Sequence, residues 1–154
     1  MTIHLAADHA GFEHKKAVVE WLQSEGFKVA DHGASTHDEQ DDFPDYISLA
    51  AAVISKNPAL DKAIIFGGSG QGEAMVANRF SHVRATVLYS DNSDIVTLSR
   101  EHNDANVLSI GARFISIADT KKMIWLWLHT SPLADEKYAR RNHKIENITK
   151  RLDN

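Results

Sequence analysis

Four consecutive apolar residues, Ala63-Ile64-Ile65-Phe66, run straight into Gly67-Gly68-Ser69-Gly70-Gln71-Gly72. A strand that is apolar on both faces must be covered on both, which is the situation of an interior strand in a parallel sheet. Four of the chain's eight glycines fall in the six residues that follow it, so the backbone there comes close to something else. A helical stretch through about Arg79 completes a strand, a glycine turn and a helix.

The same rhythm recurs along the chain. Residues 3–7 form a short apolar run ending at Asp8-His9-Ala10-Gly11, and Val18, Val19 and Leu22 then follow at helical spacing up to Gly26. Residues 27–30 read as a strand, and Ile47, Ala50, Ala51 and Ile54 as one face of a helix. Residues 84–88 and 107–110 supply two more strands, and the helix between them carries Ile95, Leu98 and His102 on one face. Helices around Ile124, Trp127 and Leu128 and around Ile145, Ile148 and Leu152 close the chain. Such alternation predicts an α/β fold, a three-layer Rossmann-like sandwich with a five-stranded parallel sheet. Without a linker or a repeat, residues 1–154 read as one domain.

Composition narrows the chemistry. The 154 residues include no cysteine and nine histidines, which removes disulfides, thiolate metal sites and thiol catalysis and leaves carboxylates, imidazoles, hydroxyls and amines. Seventeen Lys and Arg against twenty-one Asp and Glu give a net charge of −4, unsuited to a nucleic-acid footprint, so the expected partner is small. No run approaches the ~18 apolar residues of a membrane span, and the first residues enter a strand without a leader pattern. The expectation is a cytoplasmic chain that makes no membrane contact.

Ligands of doubly wound sheets bind beyond the carboxyl ends of the strands, which directs attention to the residues there. In the glycine run, a dinucleotide fingerprint starting at Gly68 would need glycine where Glu73 stands, and a phosphate loop would need Lys-Ser/Thr at Glu73-Ala74. A third reading makes the carboxylate the point: loop amides at a helix start form an anion hole beside a base, as proton abstraction next to a carbonyl requires. The plain alternative for Glu73 is a helix N-terminal acid stabilising the macrodipole by ~0.3–1 kcal/mol.

Other candidates carry the same ambiguity. Asp8-His9 is either a polar pair at the ligand edge or a turn in which Asp8 caps the next helix. His102, flanked by Glu101 and Asn103, is a functional imidazole or a satisfied core histidine. Arg113 follows the last strand and offers a cation. Arg140 and Lys144 are spaced i, i+4 and can converge on one anion, or form a solvated basic face with Arg141 and Arg151. Asp38-Glu39-Gln40-Asp41-Asp42 lacks the pattern of a calcium loop and reads as solvated, and the scattered histidines predict no metal site.

Taken together, Asp8-His9-Ala10-Gly11, Phe43-Pro44-Asp45-Tyr46, the glycine run with Glu73, Ala77-Asn78-Arg79, Arg100-Glu101-His102-Asn103 and Gly111-Ala112-Arg113 resemble the type B ribose-5-phosphate isomerases. The galactose-6-phosphate isomerase subunits belong to the same superfamily. One branch of that family uses a cysteine as its base, at the position of Gly68 here; the other uses a glutamate, matched by Glu73. The resemblance implies a cofactor-free aldose–ketose isomerase of a phosphorylated sugar, with ribose 5-phosphate and ribulose 5-phosphate the expected pair. Glu73 would shuttle the proton between C1 and C2, and His102 would assist ring opening. The enediolate would lie on Gly68, Ser69, Gly70, Gln71 and Gly72.

By the same resemblance, Asp8 would orient hydroxyls or the ring oxygen, Tyr46 and Asn103 would line the pocket, and His9, Arg113 and Arg140 would hold phosphate. Some of these would cross the interface of a homodimer or a dimer of dimers, with the helix at about 134–152 packed across it. Two departures stand out: Lys144 where the family has arginine, which keeps the charge without the bidentate fork, and Phe43 where it has tyrosine. A tetrose or hexose phosphate remains an alternative substrate, and a noncatalytic sugar-phosphate- or nucleotide-binding module an alternative of another class.

Overall fold

The computed structural model describes the backbone of residues 1–152 and the side chains of 1–148; the side chains of Arg151 and Leu152, assigned above to the last helix, lie outside the described residues. Five strands, β1 (Thr2–Ala7), β2 (Lys28–Asp31), β3 (Lys62–Gly67), β4 (Ala85–Leu88) and β5 (Val107–Gly111), alternate with helices. The helices are α1 (Phe12–Ser24), α2 (Phe43–Lys56), α3 (Gln71–Ala77), α4 (Ser93–Glu101), α5 (Ile117–His129) and α6 (Glu136–Leu152). A single 3-10 turn, His9–Gly11, joins β1 to α1.

The sheet order is β2-β1-β3-β5-β4 and every ladder is parallel. From the adjacent pair β1 and β3, the chain moves to opposite sides of the sheet. A crevice therefore opens beyond their carboxyl ends, where such folds bind ligands and where Asp8 and Gly67 stand.

Alternation along the strands feeds two cores. Ile3, Leu5, Ile64, Phe66, Leu108 and Ile110 face α1, α4 and α5 through Val18, Leu22, Val96, Ile124 and Trp127. On the other face Ala6, Ala63, Ile65 and Val107 meet Ile47, Ala50, Ala51 and Ile54 of α2 and Ala77 of α3. Each large aliphatic buried in this way contributes ~1.5–3 kcal/mol, so the sheet and its covering helices form a rigid frame for the loops. Side-chain caps at Asn92 and Ser116 satisfy the first amides of α4 and α5, at ~1 kcal/mol apiece, and Pro44 sits in the first turn of α2.

Helix α4 departs from its expected orientation. Its stripe of Ile95 and Leu98 is 49% and 44% exposed, while Val96, Ser99 and Arg100 turn inward. Arg100 is buried because its guanidinium is satisfied: Nη1 donates to Asp104 Oδ1 at 2.8 Å and to the Ala105 carbonyl, Nε donates to the Thr130 carbonyl, and the plane lies 5.6 Å from the Trp127 ring centroid. A paired cation thus takes the interior that periodicity reserved for Ile95 and Leu98, and His102 is not a core histidine.

Helix α6 attaches at the amino-terminal edge of the sheet. Glu146 accepts from Arg84 Nη1 and pairs with His82, both at 2.8 Å, Asn142 Nδ2 donates to the His102 carbonyl, and Tyr138 stacks on the His102 ring at 4.1 Å. No helix among the described residues is long and apolar enough to cross a membrane.

Candidate active site

A cavity of about 430 Å³ at the carboxyl edge is lined by Asp8, His9, Gly68, Ser69, Gly72, Glu73 and Arg113, with Phe43 and Phe114 as apolar walls. Asp8 follows β1, the glycine run follows β3 and Arg113 follows β5, so the parallel sheet alone delivers these groups from three separate stretches of chain to one place.

Glu73 lies in the first turn of α3 and is 4% exposed. Burial pushes its carboxyl above the ordinary value of 4.5, and the neighbouring Asp8 carboxylate adds to the rise, opposed by a hydrogen bond from the Glu73 backbone amide. The carboxylate rests on Gly67: a β-carbon there would lie 1.8 Å from Glu73 Oε1. Gly70, at φ 76°, turns the chain into α3 in a conformation that favours glycine, and a β-carbon on it would press within 3.0 Å of the backbone of β5.

The loop is fastened to the end of β5. The amides of Ala112 and Arg113 donate to the carbonyls of Gly67 and Gly68 at 2.8 and 3.2 Å, and the fully buried Ser109 hydroxyl donates to the Gly70 carbonyl. Ser109 is the one polar residue in Val107-Leu108-Ser109-Ile110, a signal that could have been read as a loop anchor.

Asp8 is 6% exposed and its Oδ1 accepts the Gly11 amide at 3.1 Å, so its capping role and its place in the cavity coexist. Arg113 is exposed, and its guanidinium lies over Gly68, where a β-carbon would approach Cζ to 3.3 Å. It makes no ion pair among the described residues. His9 Nδ1 donates to Asp41 Oδ1 at 2.7 Å, and this hydrogen bond raises the imidazole above its ordinary 6.5. Asp41 is thus a correction to the reading of its acidic stretch as solvated, its side chain being only 4% exposed. One ligating atom each from Asp8, His9 and Asp41 falls within 4.8 Å of the others, a grouping that spacing in the sequence does not announce.

The remaining candidates do not line this cavity. Gln71 faces a neighbouring cavity of about 600 Å³ between α3 and β4, with Met75 and Tyr89, and adjoins the site through a space shared with Ser69 and Phe114. Gly70 supports the loop from behind. Tyr46 lies against Gly33, and burial together with Asp41, Asp38 and Asp45 pushes its phenol above the ordinary value of 10.0. His102 and Asn103 follow α4 and precede β5, at the amino-terminal edge, where Arg140 and Lys144 project exposed from α6. The five residues of β5 separate the two edges, by roughly 16 Å at ~3.3 Å per residue. One subunit therefore does not bring these four residues to Glu73.

Residues 3–145 match the family model described as Ribose/Galactose Isomerase. Ribose-5-phosphate isomerase B of Mycobacterium tuberculosis is 33% identical over 141 residues, covering 92% of this chain and 85% of that protein. The protein of the same name in Escherichia coli is 33% identical over 147 residues, covering 96% and 93%. Among solved structures, ribose-5-phosphate isomerase B of Mycoplasma genitalium with bound ribulose-5-phosphate superposes with a TM-score of 0.91 at 33% identity, covering 97% of this chain and 96% of that one.

Proposed function

This chain belongs to the ribose/galactose isomerase family, and from that premise we propose that it interconverts ribose 5-phosphate and ribulose 5-phosphate through an enediolate. One observation carries the reading: a buried carboxylate, Glu73, and an exposed cation, Arg113, face one cavity beside a glycine loop. A sugar phosphate needs both groups, and its dianion must be kept away from an ionised base.

Glu73 removes the proton from C2 of the open aldose, negative charge develops on O1 as the enediolate forms, the O2 proton passes to O1, and Glu73 returns its proton to C1. The loop at Gly68, Ser69 and Gly72 adjoins that charge, and amides preorganised there stabilise it without reorganising. Asp8 orients the sugar hydroxyls, and His9 and Arg113 hold the phosphate. The hydrogen moves as a proton within one molecule, so the reaction balances without an electron acceptor. We place this work in the cytoplasm.

His102, Asn103, Arg140 and Lys144 serve the site from a second copy. The exposed stripe of Ile95 and Leu98 on α4 supports this arrangement. The nine residues of α4 span roughly 14 Å at ~1.5 Å each, close to the length of β5. Isologous, antiparallel docking of α4 on its twin carries the partner's His102 from one edge of the sheet to the other. Residues 1–154 then act as one isomerase domain, with α6 reaching across the dimer.

The test is solvent deuterium exchange at C2 with aldose phosphates of four, five and six carbons. Exchange fastest with ribose 5-phosphate is expected. Exchange fastest with another chain length moves the substrate, and binding without exchange across the panel leaves a noncatalytic module.

A further inference from the structure

Asp41 stands outside the machinery just described, on a loop 32 residues from His9, yet its Oδ1 accepts two hydrogen bonds from that one residue: the backbone amide at 3.1 Å and the ring Nδ1 at 2.7 Å. An ionised carboxylate only accepts, so Nδ1 carries the proton and Nε2 is the nitrogen left for a ligand. Asp41 Oδ2 is buried and has no hydrogen-bond partner among the described residues. A desolvated carboxylate with one oxygen unsatisfied gains most from positive charge on the group it already touches.

That group faces the cavity with Arg113, and both also line an adjoining space of about 560 Å³ with Glu13, His37 and Glu39. The charged and titratable groups facing His9 are therefore Asp8 behind it, Asp41 on its Nδ1, Glu13 from α1, His37 edge-on at 6.3 Å, Glu39 from the same loop as Asp41, and Arg113 from beyond β5. Asp41 raises the ring's proton affinity most, Asp8 adds to it, and burial and Arg113 oppose them.

We propose that Asp41 is a positioning residue: it grips His9 by backbone and ring, keeps the imidazole cationic, and leaves Nε2–H for a phosphate shared with Arg113. This deepens the isomerase reading and rests on it for the identity of the anion. The consequence is a phosphate grip that persists at a pH where an ordinary histidine would be neutral. Sign follows from the direction of the shift: the cation is present below the raised value and is lost as pH rises through it.

Asp41→Asn keeps the shape and an acceptor but removes the charge. With ribose 5-phosphate as substrate and inorganic phosphate as competitive inhibitor, KM and the phosphate inhibition constant should both rise about three- to tenfold near about pH 8, with little change near about pH 6. The value of kcat should stay within about twofold. In a His9→Gln background the same substitution should have no further effect on phosphate inhibition. Phosphate inhibition that follows the wild-type pH curve in Asp41→Asn overturns the proposal, and so does a fall in kcat with KM unchanged.

Carbon-detected NMR of the His9 ring reads the same point without activity, so loss of the isomerase reading and loss of this one are distinguishable. Wild-type His9 should titrate above the ordinary 6.5; titration at or below it overturns the proposal even where Asp41→Asn fails to fold. Stoichiometric Zn²⁺ uptake by the wild type that Asp41→Asn abolishes would overturn it as well, because His9 would then be a neutral ligand.

Discussion

Glu73 concentrates the tension between stability and function in one side chain. Burial first, and Asp8 second, raise its carboxyl above 4.5, so the folded chain binds this proton more tightly than the unfolded one. Stability from this group is then greatest below the unfolded value and declines as pH rises through the window up to the folded one. Glu73→Gln should consequently raise the melting temperature at neutral pH, by about 0.5–2 kcal/mol in free energy, with the gain vanishing toward about pH 4. The same substitution should lower kcat by about 10²–10⁴, and the acid limb of the wild-type kcat profile should lie above the ordinary glutamate range. Gly67→Ala tests the seat of the proposed base. A β-carbon 1.8 Å from Oε1 must push the carboxylate away, so kcat should drop at least about tenfold while phosphate inhibition stays near wild type. Residue types visible in the sequence, a carboxylate after a glycine run and a cation after a strand, were enough to nominate Glu73 and Arg113. Gly67 and Asp41 were hidden because their roles lie in what they touch: one is a gap filled by a neighbour's side chain, the other closes onto a residue 32 positions away.

At the level of elements, the glycine loop is positioned by β5 rather than by its own helix. Helix α3 has only seven residues, too few for much intrinsic stability, and the loop ahead of it depends on the two amides after β5 and the Ser109 hydroxyl. Ser109→Ala should destabilise the fold by about 0.5–1.5 kcal/mol. If the loop's amides act on the enediolate and not on the phosphate, it should also lower kcat more than it raises KM; equal losses in both would point to a general loosening. The strands, their parallel sense and the positions of all six helices follow from hydrophobic runs and helical spacing, whereas the order of the strands in the sheet does not. The orientation of α4 does not follow, because periodicity finds an apolar stripe without saying what covers it. Here Arg100, satisfied by Asp104, Ala105 and Thr130, occupies the interior and leaves Ile95 and Leu98 on the surface.

For the whole molecule, the two edges of the sheet pose a geometric problem that a second copy would solve. Glu73, His9 and Arg113 sit at the carboxyl edge, while His102 and Asn103, with Arg140 and Lys144 close by in chain order, sit at the other. Sequence order shows both groups but not their separation, since His102 and Arg113 are only eleven positions apart with a strand running between them. If the partner supplies His102, Glu73→Gln and His102→Asn are each defective as homodimers, but a heterodimer of the two is not. One of its cavities receives both defects; the other joins an intact Glu73 to an intact His102 from the opposite chain. Co-expressed chains with different tags, purified by both, should therefore show about half the wild-type kcat per dimer. If His102 instead served its own chain, each cavity of the heterodimer would hold one defect and the activity would only average the two homodimers. Dilution sharpens the distinction: the recovered activity should fall with the dimer measured by light scattering, and Leu98→Glu, which puts charge on the exposed stripe of α4, should abolish both together while leaving phosphate binding at His9 and Arg113 measurable in the monomer.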